Sequence, residues 1–150
     1  RSAFVTGVQT CALPIWQLVT VPMRAIETLD AALEAIAAGK TDALYSLGDP
    51  LILTQRRRIA EFALAQKLPS LFGWREFVDA GGLMAYGPST IELYRHAADY
   101  VGRVLRGARP ADLPVEPPSK FELTINLRTA RALGITIPPS VLSQADMVIE

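Results

Sequence analysis

The sequence predicts an α/β domain, a parallel sheet with flanking helices, and three observations carry that prediction. Short apolar runs at residues 17–21, 42–47 and 68–73 have the length and composition of buried strands. Between them apolar residues recur at steps of three and four, the period of a helix with one buried face. Gly, Asp and Pro gather where one period gives way to the other, as at Gly48, Asp49 and Pro50. Strand, helix, strand, helix, strand at this spacing calls for right-handed crossovers and a sheet covered on both faces.

The elements follow in chain order. Residues 5–16, VTGVQTCALPIW, hold the single cysteine, Cys11, and show no face of either period, since Thr6, Gly7, Gln9 and Thr10 interrupt them. A secretory signal would show a basic start, an unbroken apolar centre and a small-residue cleavage site, and this stretch shows none of them cleanly. Residues 5–15 instead resemble the conceptual translation of a common sequencing adapter. Residues 1–15 are therefore set aside before the fold is read, and Cys11 carries no redox or catalytic weight. QLVTV at 17–21 reads as the first buried strand, ended by Pro22. Ile26, Leu29, Leu33 and Ile36 make the stripe of an amphipathic helix stopped by Gly39.

DALYSL at 42–47 is the second strand. The next helix starts at Asp49 and Pro50, because Asp accepts hydrogen bonds from free N–H groups and Pro fits the first helical turn. Its inner stripe is Ile59, Phe62 and Ala63, while Arg56, Arg57 and Arg58 read as a solvated face. LPSLFG at 68–73 is the third strand, WREFVDAGG a short helix ended by Gly81 and Gly82, and LMAYG another short strand. Ser89, with Glu92 three positions on, reads as a capping box. The helix it opens carries Tyr94, Ala97, Ala98, Val101, Val104 and Leu105 on one side and stops at Gly107 and Pro110. After the extended, proline-rich 111–118, KFELTINL alternates in polarity and reads as a strand wet on one face, an edge strand by that pattern. A short helix at 127–133 closes at Gly134, and a last helical turn or two runs through Val141, Leu142, Ala145 and Val148.

Composition narrows the function classes. Residues 16–150 suffice for one domain with a proper core. Lys plus Arg and Asp plus Glu balance at 15 each, so nothing favours a nucleic-acid partner. No apolar stretch reaches the roughly 18–20 residues of a membrane span. His96, the one histidine, sits mid-helix beside Arg95 and Asp99 and reads as a surface residue. No second histidine completes a metal set, and neither GxGxxG nor GxxxxGK[ST] occurs, so no metal or other cofactor is expected.

What remains is geometry. In open parallel sheets, ligands sit beyond the carboxyl ends of the strands, where the following helices start. Those ends are 21–24, 47–51 and 72–76. They nominate six ligand-binding residues: Gly48, Asp49 and Pro50 at one strand end, and Trp74, Arg75 and Glu76 at the next. Asp49 stands equally as helix cap and as ligand contact. Trp74 stands as a core or interlobe aromatic or as a surface that stacks on ligand.

The stretches TDALYSLGDPLILTQRRRIAEFA, WREFVDAGGLMAYG and GARPADLPVEPPSKFELTINLRTARALGITIPPSVLSQADMVIE resemble the C-terminal half of ABC transporter substrate-binding proteins, the family that includes tryptophan- and tyrosine-binding lipoproteins. The likeness runs over 16–150. Gly73 departs from it, standing where many relatives carry a polar or acidic residue. The resemblance implies a type I periplasmic-binding fold, two Rossmann-like α/β lobes that close on a small solute, with this chain supplying the second. It implies no enzymatic chemistry, an extracytoplasmic location, a membrane permease as partner and a monomer when complete. By the same resemblance the solute is an amino acid or similar molecule, with Asp49 a candidate for its ammonium. Residues 16–83 are then second-lobe core, 84–112 a crossover and helix of the first lobe, and 113–150 the return and tail. The stripe of helix 89–106 should accordingly lie exposed in this chain alone. A ligand sensor of a regulator or membrane kinase using the same fold is the alternative, and an enzyme on a doubly wound sheet comes last.

Overall fold

Phe72, Phe77, Val78 and Ile125 are all at most 1% exposed, and the sheet is built around them. The computed structural model describes residues 2–3, 17–23 and 25–150. The chain begins with β1 (Ser2–Ala3) and β2 (Gln17–Leu18), then α1 (Leu29–Ala38), β3 (Leu44–Ser46), α2 (Pro50–Thr54) and α3 (Arg56–Ala65). It continues through β4 (Ser70–Phe72), α4 (Glu76–Asp79), β5 (Met84–Pro88) and α5 (Thr90–Leu105). Last come β6 (Phe121–Asn126), α6 (Leu127–Leu133), α7 (Pro139–Leu142) and β7 (Met147–Ile149). The main sheet has five strands in the order β3-β4-β5-β6-β7. β3, β4 and β5 are parallel, β5 and β6 antiparallel, and β6 and β7 parallel.

The expected α/β class holds, and so do the strands within 42–47 and 68–73 and the helices that follow them. Leu29 and Ile36 of α1 and Ile59 and Ala63 of α3 face one core cluster with Leu44, Phe72 and Ala85. Phe72 stacks on Phe77 with ring centroids 4.5 Å apart. Arg56, Arg57 and Arg58 are exposed, and Arg58 pairs with Asp30 across to α1. Gly134 ends α6 at φ 71°, a left-handed conformation that glycine adopts without strain.

Four expectations fail, each because a distant partner outweighed a local pattern. The run 17–21 is not a strand of the main sheet: Gln17–Leu18 pairs with Ser2–Ala3. Val19, Val21 and Met23 still pack on the core, but alternate residues face outward and Pro22 has no N–H to donate, so the stretch is a one-sided cover. β6 is not an edge strand but lies between β5 and β7, and Thr124 and Asn126, read as wet, are 2% and 6% exposed. Asn126 is satisfied there, its amide donating to the Val78 carbonyl (3.3 Å) and accepting from the Thr129 N–H (3.1 Å). Val148 belongs to the edge strand β7 rather than to a helix, because 147–149 completes the backbone ladder of β6. There the Asp146 carboxylate accepts the Leu123 N–H at 2.8 Å. The capping box of α5 does not form: the Ser89 side chain makes no cap bond and Glu92 is taken by Arg95.

Among the described residues, helix α5 behaves differently from the other long helices, α1 and α3. None of its residues is buried, and Tyr94, Val101 and Leu105 are 74%, 58% and 82% exposed. It leaves the sheet at the end of β5 and returns through 106–120 to β6. Its stripe therefore lies open, as expected.

Candidate functional site

The carboxyl ends of β3, β4 and β5 meet on backbone alone. A Cβ on Gly73 would stand 2.8 Å from the Gly48 nitrogen, and one on Gly87 would stand 1.9 Å from the Gly73 carbonyl oxygen. These distances leave no room for side chains. Glycine at position 73 thus has a packing reason in this chain: a side chain there would strike the Gly48 backbone.

Gly48 is exposed at the top of β3, under the Trp74 indole, whose Cε2 would lie 3.0 Å from a Cβ at Gly48. Trp74 is half-buried and packs against the core cluster. Asp49 caps α2, its carboxylate accepting the N–H groups of Leu51 (2.8 Å) and Ile52 (3.3 Å). Pro50 occupies the first helical position and is exposed. Arg75 is exposed, with Nε 3.4 Å from the Asp79 carboxylate. Glu76 is half-buried at the start of α4, with no hydrogen-bond or ion-pair partner among the described residues.

A hollow of about 360 Å³ opens beyond the ends of β4 and β5, with Gly73, Arg75, Glu76, Thr90, Tyr94 and Glu122 in its walls. Of the six nominated residues it brings together Arg75 and Glu76. Gly48, Asp49, Pro50 and Trp74 stand outside its walls. Other side chains in its lining were not nominated, among them Asp79, Thr90, Tyr94, which looked like one member of an apolar stripe, and Glu122, which looked like the wet side of a strand. No local spacing marks Thr90, Tyr94 and Glu122, because the parallel pairing of β4 with β5 and the antiparallel pairing of β5 with β6 set them beside residues 73–76. At the rim the Lys120 ammonium lies 3.1 Å from the Glu122 carboxylate. With the Ser89 hydroxyl it holds Glu122 below the ordinary glutamate range, and Glu122 in turn raises Lys120.

A larger hollow of about 480 Å³ separates α5 from 113–120, lined mostly by apolar side chains such as Leu93, Tyr100 and Val115. His96 lies there, its Nδ1 3.6 Å from Glu116. That groove touches the end of β5 at Ser89 but runs along α5 without reaching β3 or β4, whereas the smaller hollow spans the ends of β4 and β5 together, where open α/β sheets hold their ligands, and is the better candidate. Among the described residues no group of three or more His, Cys, Asp or Glu could hold a metal ion, and no helix is long and apolar enough to cross a membrane.

A mostly parallel sheet with a crevice at its strand tops and helices around it has the fold of a periplasmic binding protein domain. The chain belongs to the ABC transporter substrate binding protein family, whose model matches residues 15–149. It is 30% identical over 114 residues to the tyrosine-binding protein of Clostridioides difficile, an alignment covering 75% of this chain and 33% of that protein. Its fold matches a conserved domain protein of Vibrio cholerae at TM-score 0.82 and 29% identity, covering 89% of this chain and 45% of the other. It also matches the ABC domain from Streptococcus pneumonia solved in complex with L-Trp, at TM-score 0.83 and 28% identity, with the same coverage. The chain therefore spans a third of that curated relative and less than half of these solved structures.

Proposed function

We propose that this chain is the second lobe of an extracytoplasmic solute-binding protein serving an ABC importer. The solute is an amino acid or a close relative, gripped between these strand tops and a first lobe. The family match over 15–149 is the observation that carries the reading, because it falls on the strands, the strand-top loops and α5 together. Two relatives whose names and titles specify tyrosine and L-Trp support the solute class.

On this reading the protein performs binding rather than turnover. Solute favours a closed form over an open one by its differential affinity, and a membrane permease recognises the closed form. Helix α5 is part of the excursion assigned to 84–112, and the part of its open stripe beyond Tyr94, at Val101 and Leu105, is the face the first lobe would cover. The β5 and β6 pair carries the chain out and back, which makes it the hinge.

Calorimetry of the full-length protein against a panel of amino acids tests the proposal. Saturable binding of at least one amino acid is expected at micromolar or lower dissociation constant, with residues 16–150 alone binding none of them tightly. Tight binding by residues 16–150 alone would refute the two-lobe reading.

A further inference from the structure

We propose, resting on the solute-binding reading above, that the hollow walled by Gly73, Arg75, Glu76, Thr90 and Tyr94 is this chain's share of the solute cleft. It takes a zwitterionic amino acid with a flat side chain, and Tyr94 rather than Trp74 is the residue that sets that preference.

The charge arrangement is the first argument. Arg75 and Glu76 are consecutive residues of opposite sign on one wall of the hollow, and the two other carboxylates in its lining are already paired, Asp79 with Arg75 and Glu122 with Lys120. Arg75 directs Nε toward Asp79, which leaves its two terminal nitrogens for a planar carboxylate. Glu76 has no partner among the described residues although it is half-buried, and a carboxylate in that position gains from an incoming ammonium. Asp49 is less suited to the same task. Two N–H groups already occupy its carboxylate, and it lies outside the hollow.

The second argument concerns the aromatic rings. Trp74 is committed, one face over Gly48 and the rest against the core. Tyr94 faces the hollow from the second turn of α5 and is 74% exposed, a large apolar ring left without cover. Between these two walls the floor is glycine backbone at Gly73 and Gly87, which lets a flat group lie close. The walls also belong to different units: Arg75 and Glu76 follow β4, whereas Thr90 and Tyr94 follow β5 on the helix that departs. Hinge motion of α5 against the sheet would open or tighten this hollow directly.

The test is calorimetry of the full-length protein with L-tryptophan, with tryptamine, which lacks the carboxylate, and with 3-indolepropionate, which lacks the ammonium. Wild type is expected to bind L-tryptophan more tightly than either analogue. Glu76→Gln should weaken L-tryptophan by roughly tenfold or more and erase its advantage over 3-indolepropionate. Tyr94→Ala should weaken L-tryptophan by roughly tenfold or more, whereas Tyr94→Phe, which keeps the ring, should stay within about threefold of wild type. Asp49→Asn should bind as wild type does. If wild type binds L-tryptophan while Glu76→Gln and Tyr94→Ala remain within about twofold of it, this assignment is overturned and the solute reading stands. If wild type binds no amino acid at all, both are overturned.

Discussion

Replacing Gly87 by alanine probes the backbone packing that shapes the strand tops. The new Cβ would lie 1.9 Å from the Gly73 carbonyl oxygen and 2.9 Å from its carbon. Carbon and oxygen in non-bonded contact settle at about 3.3 Å or more, so β4 and β5 must part by more than about 1 Å at their ends. Gly73 is also tied on its other side to β3, its N–H donating to the Ser46 carbonyl at 3.2 Å. Overpacking costs roughly 1–3 kcal/mol, and a clash of backbone with backbone belongs at the upper end, about 3 kcal/mol. The usual gain from stiffening the unfolded chain, about 0.4–1 kcal/mol, is too small to offset it. A loss of that size is a large share of the roughly 5–15 kcal/mol that holds a domain together. Urea unfolding followed by circular dichroism should show the midpoint lowered by on the order of 1–3 M, given slopes of about 1–3 kcal/mol/M. Gly102→Ala is the control. Its Cβ meets the mobile end of Arg106 at 3.4 Å inside α5, so alanine should raise stability by about 0.5–1 kcal/mol. A Gly87→Ala midpoint equal to or above that of wild type would show that the close approach at the strand tops is wrong.

Three further predictions use the same unfolding measurement. Asp49→Ala removes the acceptor for two N–H groups of α2 and should cost about 1 kcal/mol, while Asp49→Asn, which can still cap, should cost clearly less; equal losses would remove the cap as the cause. Leu105→Ala should change the stability of this chain by no more than about 0.5 kcal/mol, because the side chain is 82% exposed. In the full-length protein the same change should cost about 2 kcal/mol or more if a first lobe covers it, and an unchanged value there would count against the excursion of α5. Glu122 is depressed below its ordinary value by Lys120 and Ser89, so its contribution is complete above the unfolded glutamate pKa of about 4.3 and is lost as pH falls through the folded value. The stability gap between wild type and Glu122→Gln should accordingly be larger at neutral pH than in strong acid; a gap independent of pH would mean that the pairing with Lys120 contributes nothing.

The amino-acid sequence by itself determined the α/β class, the strands within 42–47 and 68–73, the stripes of α1 and α3, and the ends set by Asp49 and Gly134. Each depends on groups only a few residues apart: a repeating apolar face, a carboxylate reaching N–H groups two and three positions on, a glycine able to turn left-handed. The family resemblance was legible for a similar reason, since it lies in contiguous stretches. The tertiary structure alone decided that 17–21 covers the core instead of joining the main sheet, that β6 is interior, and that 147–149 completes the sheet edge. It also decided that Glu92 turns to Arg95 and that Arg75, Glu76, Tyr94 and Glu122 share one hollow. Strand order and cavity walls follow from which backbone edges find partners across the molecule. That competition is settled between residues tens of positions apart, where local periodicity carries no signal.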